Sequence, residues 1–288
     1  MIVLYVVFMM VILAVILQKI ELTRFRVTVY EPEGATGEKN IRLVVLADLH
    51  GHVYGKNNER LLHAIEEAKP DLILIPGDLI VGKDLPTYDV ALSLAEKLVK
   101  IAPVYFSRGN HEQRPIYRVY SYSQAYRDLE NKCKELGVHV LVNNSEDVSL
   151  KGRTFTITGV DIPLDCFRKG KRVPLPVNFM EETLGKCKNE NTILLAHNPA
   201  YAKEYASWGA KLTVSGHTHG GLVRVPGIGS VLSPQFELFP KYDGGIYDID
   251  GKKIIVSKGL GTHTFHIRIF DRAEVVLIRL KQGRNKRT

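Results

Sequence analysis

The stretch Ile41-Arg42-Leu43-Val44-Val45-Leu46-Ala47-Asp48-Leu49-His50 is a nearly unbroken apolar run that ends on an acid and an imidazole. Such a run reads as a strand buried on both faces, the pattern of a parallel sheet. Outward from it the pattern repeats. Residues 59–69 place Leu61, Leu62, Ile65 and Ala68 at helical spacing, and residues 72–75 are apolar again and end at Gly77-Asp78. A helix is expected over 90–100, then a strand over 103–106 that leads to Gly109-Asn110-His111-Glu112, then a helix over 124–136 and a strand over 138–142. This is βαβ alternation in which the carboxyl end of each strand carries a polar cluster, and ligand sites of open α/β sheets lie at such ends. Asp48, Asp78 and Asn110 are each about 30 residues apart, one βα unit, so the three clusters emerge on neighbouring strands.

The second half is richer in short strands, expected at 154–160, 193–196, 212–215, 222–225, 245–248, 254–257 and 274–280, which suggests a second sheet packed on the first. His197 directly follows one of these strands, and Gly216-His217-Thr218-His219 another. Five of the ten histidines, His50, His111, His197, His217 and His219, thus fall at strand ends beside glycine, Asp or Asn. A lone Asp-x-His or Gly-Asp is ordinary turn chemistry, but the ordered set is not. His52, His63, His139, His263 and His266 read as structural, with His52 nearest the site.

Asp, His and Asn offer oxygen and imidazole-nitrogen ligands with no thiolate, a donor set for Mn, Zn or Fe. Cys133, Cys166 and Cys187 are odd in number and form no CxxC pair, so neither a disulfide framework nor a thiolate zinc site is indicated. With 288 residues, 45% of them hydrophobic, the chain can bury a full core. A net charge of +8 invites an anionic partner: a phosphorylated substrate, nucleic acid or an acidic membrane face. No added nucleic-acid domain is visible, which argues against a processive nuclease.

Residues 2–17 are apolar without interruption, and Lys19 can snorkel while Ile20 extends the run, so residues 1–20 read as an uncleaved membrane helix. No Lys or Arg precedes the run and no small-x-small site follows it, unlike a secretory signal. Lys19, Arg24 and Arg26 follow it, which places the catalytic domain in the cytoplasm, with an extracytoplasmic domain as the alternative. Residues 21–40 then read as a connecting segment, 41–282 as the catalytic domain and 283–288 as a basic tail.

The set Asp48-x-His50, Gly77-Asp78, Gly109-Asn110-His111-Glu112, His197 and Gly216-His217-Thr218-His219 resembles the signature of calcineurin-like metallophosphoesterases, over roughly residues 40 to 282. Gly220-Gly221, the stretch from Leu238 to Tyr242, Lys258-Gly259-Leu260-Gly261 and Ile267-Arg268-Ile269-Phe270 are similar to a membrane-associated branch that includes bacterial phosphodiesterases and UDP-2,3-diacylglucosamine hydrolases. One departure is Leu222, where the branch usually has Gln. The resemblance implies a four-layer α-β-β-α sandwich of two mixed sheets. It implies one metal on Asp48, His50, Asp78 and His219 and a second on Asp78, Asn110, His197 and His217, with Asp78 bridging. It also implies that His111, a non-ligand, contacts the phosphate and protonates the leaving group.

The chemistry agrees. Two cations about 3.5 to 4 Å apart can bridge a water, lower its pKa and neutralise phosphoryl oxygens during in-line attack. A carboxylate is the natural bridge, and the neutral Asn110 keeps the site attractive to phosphate. Glu112 reads as an orienting group. Near the third cluster stand Tyr105, Arg108, Arg114, Tyr117, Arg118 and Tyr120, and Arg168, Lys169, Lys171 and Arg172 form a basic loop; an Arg could fork onto a second phosphate. The expected function is a membrane-associated dimetal phosphohydrolase cleaving a phosphodiester or pyrophosphate in a small-molecule, nucleotide or lipid-linked substrate. The alternatives are a phosphomonoesterase or phosphoprotein phosphatase, and a non-catalytic scaffold, which would be expected to have lost ligands that are all intact here.

Overall fold

The computed structural model describes all residues except 34–39, 171, 222, 226, 234, 263–267, 269 and 283–288. Leu222, Lys171, His263, His266, Ile267, Ile269 and the basic tail therefore lie outside the described residues. The chain opens with α1 (Ile2–Thr23), then β1 (Phe25–Tyr30), β2 (Ile41–Val45), α2 (Glu59–Ala68), β3 (Leu72–Ile75), α3 (Pro86–Leu98), β4 (Val104–Ser107), α4 (Asn110–Tyr117), α5 (Ser123–Glu135) and β5 (His139–Leu141). It continues with β6 (Asn144–Leu150), β7 (Arg153–Val160), α6 (Phe179–Leu184), β8 (Thr192–Ala196), α7 (Ala202–Trp208), β9 (Leu212–Ser215), β10 (Val223–Val225), β11 (Gly229–Leu232), β12 (Gly245–Ile249), β13 (Lys252–Val256) and β14 (Ala273–Leu280).

Two six-stranded mixed sheets result. The first has the order β1-β14-β2-β3-β4-β5 and the second β12-β13-β9-β8-β7-β6. In each, four strands run parallel, β2 through β5 in one and β13, β9, β8 and β7 in the other. Alternation along β2 shows how the layers form. Leu43 and Val45 point between the sheets, where they meet Phe155, Ile157, Leu195 and Val214. Val44 and Leu46 point outward onto α2, α3 and α5 through Leu61, Ile65, Leu94, Leu98 and Leu129. On the far side Leu194 and Ala196 carry Tyr201 and Tyr205 beneath α7. This is the expected four-layer sandwich, and each buried Leu, Ile or Val in it contributes about 1.5–3 kcal/mol of transfer free energy.

Three placements differ from the sequence reading. The last strand, β14, lies in the first sheet, antiparallel to β2 with Val276 beside Val45, rather than in the second. Phe25–Tyr30, within the stretch read as a connection, pairs in parallel with β14 as an edge strand. β10 pairs with β11 in a separate two-stranded hairpin. Because every central parallel strand points the same way within its sheet, the residues that follow β2, β3, β4, β8 and β9 gather at one end of the sandwich.

Candidate metal centre

Each candidate ligand leaves the end of a strand where the chain must turn at once. Asp48, His50, Asp78, His217 and His219 all have positive φ, between 49° and 72°. Asp and His tolerate this left-handed region better than most residues, and such backbone clusters at functional sites. Gly77 lets the turns approach one another: a Cβ there would stand 2.9 Å from His197 Nδ1.

The structure brings the candidates together in buried groups. Asp48, His50 and His219 offer ligand atoms within 4.8 Å of one another, as do Asp78, His197 and His217, and His50, Asp78 and His111. His50 Nε2 lies 3.7 Å from Asp78 Oδ2 and 3.2 Å from His219 Nε2. His197 Nε2 is 3.0 Å from Asp78 Oδ2 and 3.8 Å from Asp48 Oδ1. Asn110 opens α4 and is 1% exposed, and its Oδ1 has no hydrogen-bond partner among the described residues.

The tautomers follow from the outer hydrogen bonds. His50 Nδ1 donates to the Ile80 carbonyl at 3.1 Å, His197 Nδ1 to Pro76 at 2.8 Å and His219 Nδ1 to Gly261 at 3.1 Å. Each ring therefore presents the Nε2 lone pair to the centre, the arrangement of a metal-binding histidine. An inward-facing set of lone pairs and carboxylate oxygens around an orphaned amide oxygen repels itself unless cations stand among its members, so these residues fit divalent metals.

Electrostatics point the same way. Burial, with the charge of Asp78 added, pushes the Asp48 carboxyl up to about 7. Asp78 is equally buried, yet the imidazoles of His197, His111 and His50 hold it well below the usual carboxylate range. Burial alone would lower His197, but Asp78 beside it raises it to about 9.

Other side chains hold the frame. Glu112 accepts the backbone N–H groups of Asp78 (2.9 Å), Leu79 (2.9 Å) and Gly109 (2.8 Å), so it fixes the Asp78 loop and the start of α4 rather than His111. Arg268, 1% exposed, donates to the carbonyls of Lys258, Gly259 and Gly261 at 2.9, 3.2 and 3.0 Å, and so supports the carbonyl that orients His219. Sequence reasoning missed this role; the signal was an Arg inside an aromatic and β-branched stretch. Arg114 Nη1, which can only donate, lies 3.0 Å from His111 Nε2, and the Gly82 N–H lies 3.2 Å from His111 Nδ1, so the ring stands between a guanidinium and a backbone donor.

The remaining candidates stand elsewhere. Arg108 is tied to Glu130 at 2.9 Å and to Asp161 at 3.4 Å, and so serves the fold rather than a second phosphate. Arg118 pairs with Asp165 at 2.6 Å and Arg172 with Glu204. His52 packs against Tyr54, His63 pairs with Glu67, and His139 pairs with Glu146 and stacks on Tyr105. All three cysteines are free. Beside His217 and Thr218 a cleft of about 500 Å³ opens, lined also by Arg168, Lys203, Phe236 and Lys241.

A family profile described as calcineurin-like phosphoesterase matches residues 41–221. Phosphodiesterase YaeI of Escherichia coli K12 is 26% identical over 263 residues, 90% of this chain and 88% of that protein. A Danio rerio protein named transmembrane protein with metallophosphoesterase domain is 28% identical over 88% of this chain, which spans 55% of that longer protein. Among solved structures, the sulfate thiohydrolase SoxB of Thermus thermophilus superposes with a TM-score of 0.50 at 13% identity, over 79% of this chain and 53% of that one, a likeness of fold.

Proposed function

The chain belongs to the calcineurin-like phosphoesterases, and on that premise we propose that it is a membrane-anchored, two-metal hydrolase that cleaves a phosphodiester or pyrophosphate bond. The observation that carries this reading is the convergence of the Nε2 atoms of His50, His197 and His219 on two buried carboxylates, with each Nδ1 held by a backbone carbonyl. Asp48, His50, Asp78 and His219 would hold one cation and Asp78, Asn110, His197 and His217 the other, of Mn, Zn or Fe. When bound, the pair supplies Lewis-acid charge neutralisation and an activated water.

The chain's own residues do the rest. The turns after β2, β3 and β9 fix the ligands before substrate arrives, which avoids reorganisation during the reaction. Arg114 donates to a phosphoryl oxygen, and a protonated His111 beside it offers its proton at the leaving oxygen. Arg114 adds fixed positive charge where negative charge grows. α1 supplies attachment, since Leu4–Thr23 is apolar and long enough to cross a bilayer. The substrate is a phosphorylated small molecule or a lipid-linked one.

The test is hydrolysis of bis(p-nitrophenyl) phosphate by purified protein loaded with Mn or Zn, alongside a phosphomonoester. We expect diester turnover with two metals per chain, and its loss in Asp78→Ala together with a fall in metal content. Full activity in that variant would sink the assignment.

A further inference from the structure

Strand directions determine where the membrane helix meets the domain. β2, β3 and β4 run parallel and lead to Asp48, Asp78 and Asn110, so the candidate metal centre marks one end of the first sheet. β14 is antiparallel to β2, with Val276 beside Val45, so the start of β14 lies at that same end. β1 is parallel to β14, with Phe25 beside Ala273. The chain therefore enters the sheet at the ligand end, and α1 stops at Thr23, just before it.

Side-chain contacts agree with the topology. Arg272 Nε and Nη2 bond the Glu21 carboxylate of α1 at 3.2 and 3.3 Å, and Arg60 Nη1 donates to the Thr23 carbonyl at 3.2 Å, capping the helix end. Phe25 packs edge-on to Tyr54 at 4.8 Å, and Tyr54 packs on His52 at 4.5 Å, two residues from the ligand His50. Large apolar side chains surround the same end. Phe270 precedes Arg272 by two residues and is 58% exposed; Leu238 and Phe239, in the loop that borders the cleft beside His217, are 68% and 62% exposed. Arg168, Lys169, Lys203 and Lys241 are exposed around that cleft. Apolar tips interleaved with basic groups, next to an apolar helix, match the interface of an anionic bilayer.

We propose that the metal centre opens onto the bilayer surface and takes a phosphodiester from the lipid headgroup layer, with Leu238, Phe239 and Phe270 seated in the interface. For its chemistry this rests on the hydrolase reading above; for its geometry it does not. Hydrolysis there joins the water oxygen to phosphorus and breaks one P–O ester bond. The departing oxygen gains a proton, giving an alcohol and a phosphomonoester without oxidant or reductant.

The test uses the full chain in vesicles of phosphatidylcholine and phosphatidylglycerol. Trp208 is the single tryptophan of the chain, so the unmodified protein provides the reference emission and Phe239→Trp adds one reporter. Nitroxide lipids labelled near the headgroup should quench the added emission; failure to quench it overturns the orientation. In parallel, Leu238→Ser with Phe270→Ser should lower turnover of a vesicle-embedded phosphatidyl diester by about tenfold, the scale of losing part of two buried apolar side chains. Turnover of soluble bis(p-nitrophenyl) phosphate should stay unchanged. Equal effects on both substrates, or a parent protein that cleaves only the soluble diester, overturn the lipid assignment. Quenching in a protein that cleaves neither diester supports the orientation and removes the hydrolase reading instead.

Discussion

Asp48 and Asp78 are both fully buried, and they shift in opposite directions: burial, with the charge of Asp78 added, outweighs His197 at Asp48, whereas the imidazoles of His197, His111 and His50 outweigh burial at Asp78. A cation that enters must displace the proton held by Asp48 below about pH 7 and the one held by His197 below about pH 9. Apparent metal affinity should therefore rise with pH, by about two decades per unit below pH 7 and about one between pH 7 and 9, as proton-coupled binding requires. Calorimetric titration with Mn in buffers of different ionisation heat reads the proton count directly. No proton release at pH 7.5 would contradict the ligand assignment of His197. Arg268 makes a second prediction at this scale. Its Nη2 faces three carbonyls, including the Gly261 oxygen that fixes His219, while Nη1 holds Asp271. Arg268→Lys keeps the charge but has one nitrogen and cannot hold Asp271 and the three carbonyls together, so metal affinity should fall about 10- to 100-fold, as for other outer partners of metal-bound histidines. Equilibrium dialysis checks it, and unchanged affinity would show that the loop holds itself.

At the scale of elements, the turn from β4 into α4 depends on Arg108. Its guanidinium is 12% exposed, and its partners Glu130 and Asp161 are 9% and 7% exposed. Removing one member of so buried a network leaves uncompensated charge, which costs about 3–5 kcal/mol. Arg108→Ala should lower the unfolding free energy by about that amount in urea titration, and a loss below about 1 kcal/mol, the ceiling for a typical exposed pair, would mean the network is solvated. The sequence was most legible in the strands that carry the site. β2, β3, β4, β8 and β9 are continuous apolar runs because both of their faces are covered, and the polar residues after them stand out for that reason. Two edge strands were hidden. β1 reads Phe-Arg-Val-Thr-Val-Tyr, half exposed, and β6 reads Asn-Ser-Glu-Asp-Val-Ser-Leu, too polar to signal a strand until it pairs with β7. α4 was hidden because Pro115 stands inside it and its first residues read as a turn. The placement of β14 rests on pairing with residues more than 200 positions away, which no local pattern encodes. Arg114 and Arg108 were equally visible as cations in the sequence. Only burial and partners separate the one beside His111 from the one spent on Glu130 and Asp161.

At the scale of the whole molecule, the decisive relation is between α1 and the sandwich. Its 22 residues rise about 33 Å at 1.5 Å each, enough for a hydrocarbon layer of about 30 Å. The last turn, with Glu21 and Thr23, is bonded to Arg272 and Arg60 of the domain. The exposed Lys19, Arg24 and Arg26 therefore lie at the junction of helix and domain. Cationic residues beside a span are retained on the cytoplasmic side, so the domain is expected there, facing the anionic inner leaflet that its net charge of +8 also favours. A phosphatase reporter fused to the C-terminus should stay inactive, whereas a fluorescent protein fused there should mature. An active exported phosphatase would reverse the placement while leaving the metal centre at the end of the sandwich that α1 joins, because strand order, not charge, sets which end that is.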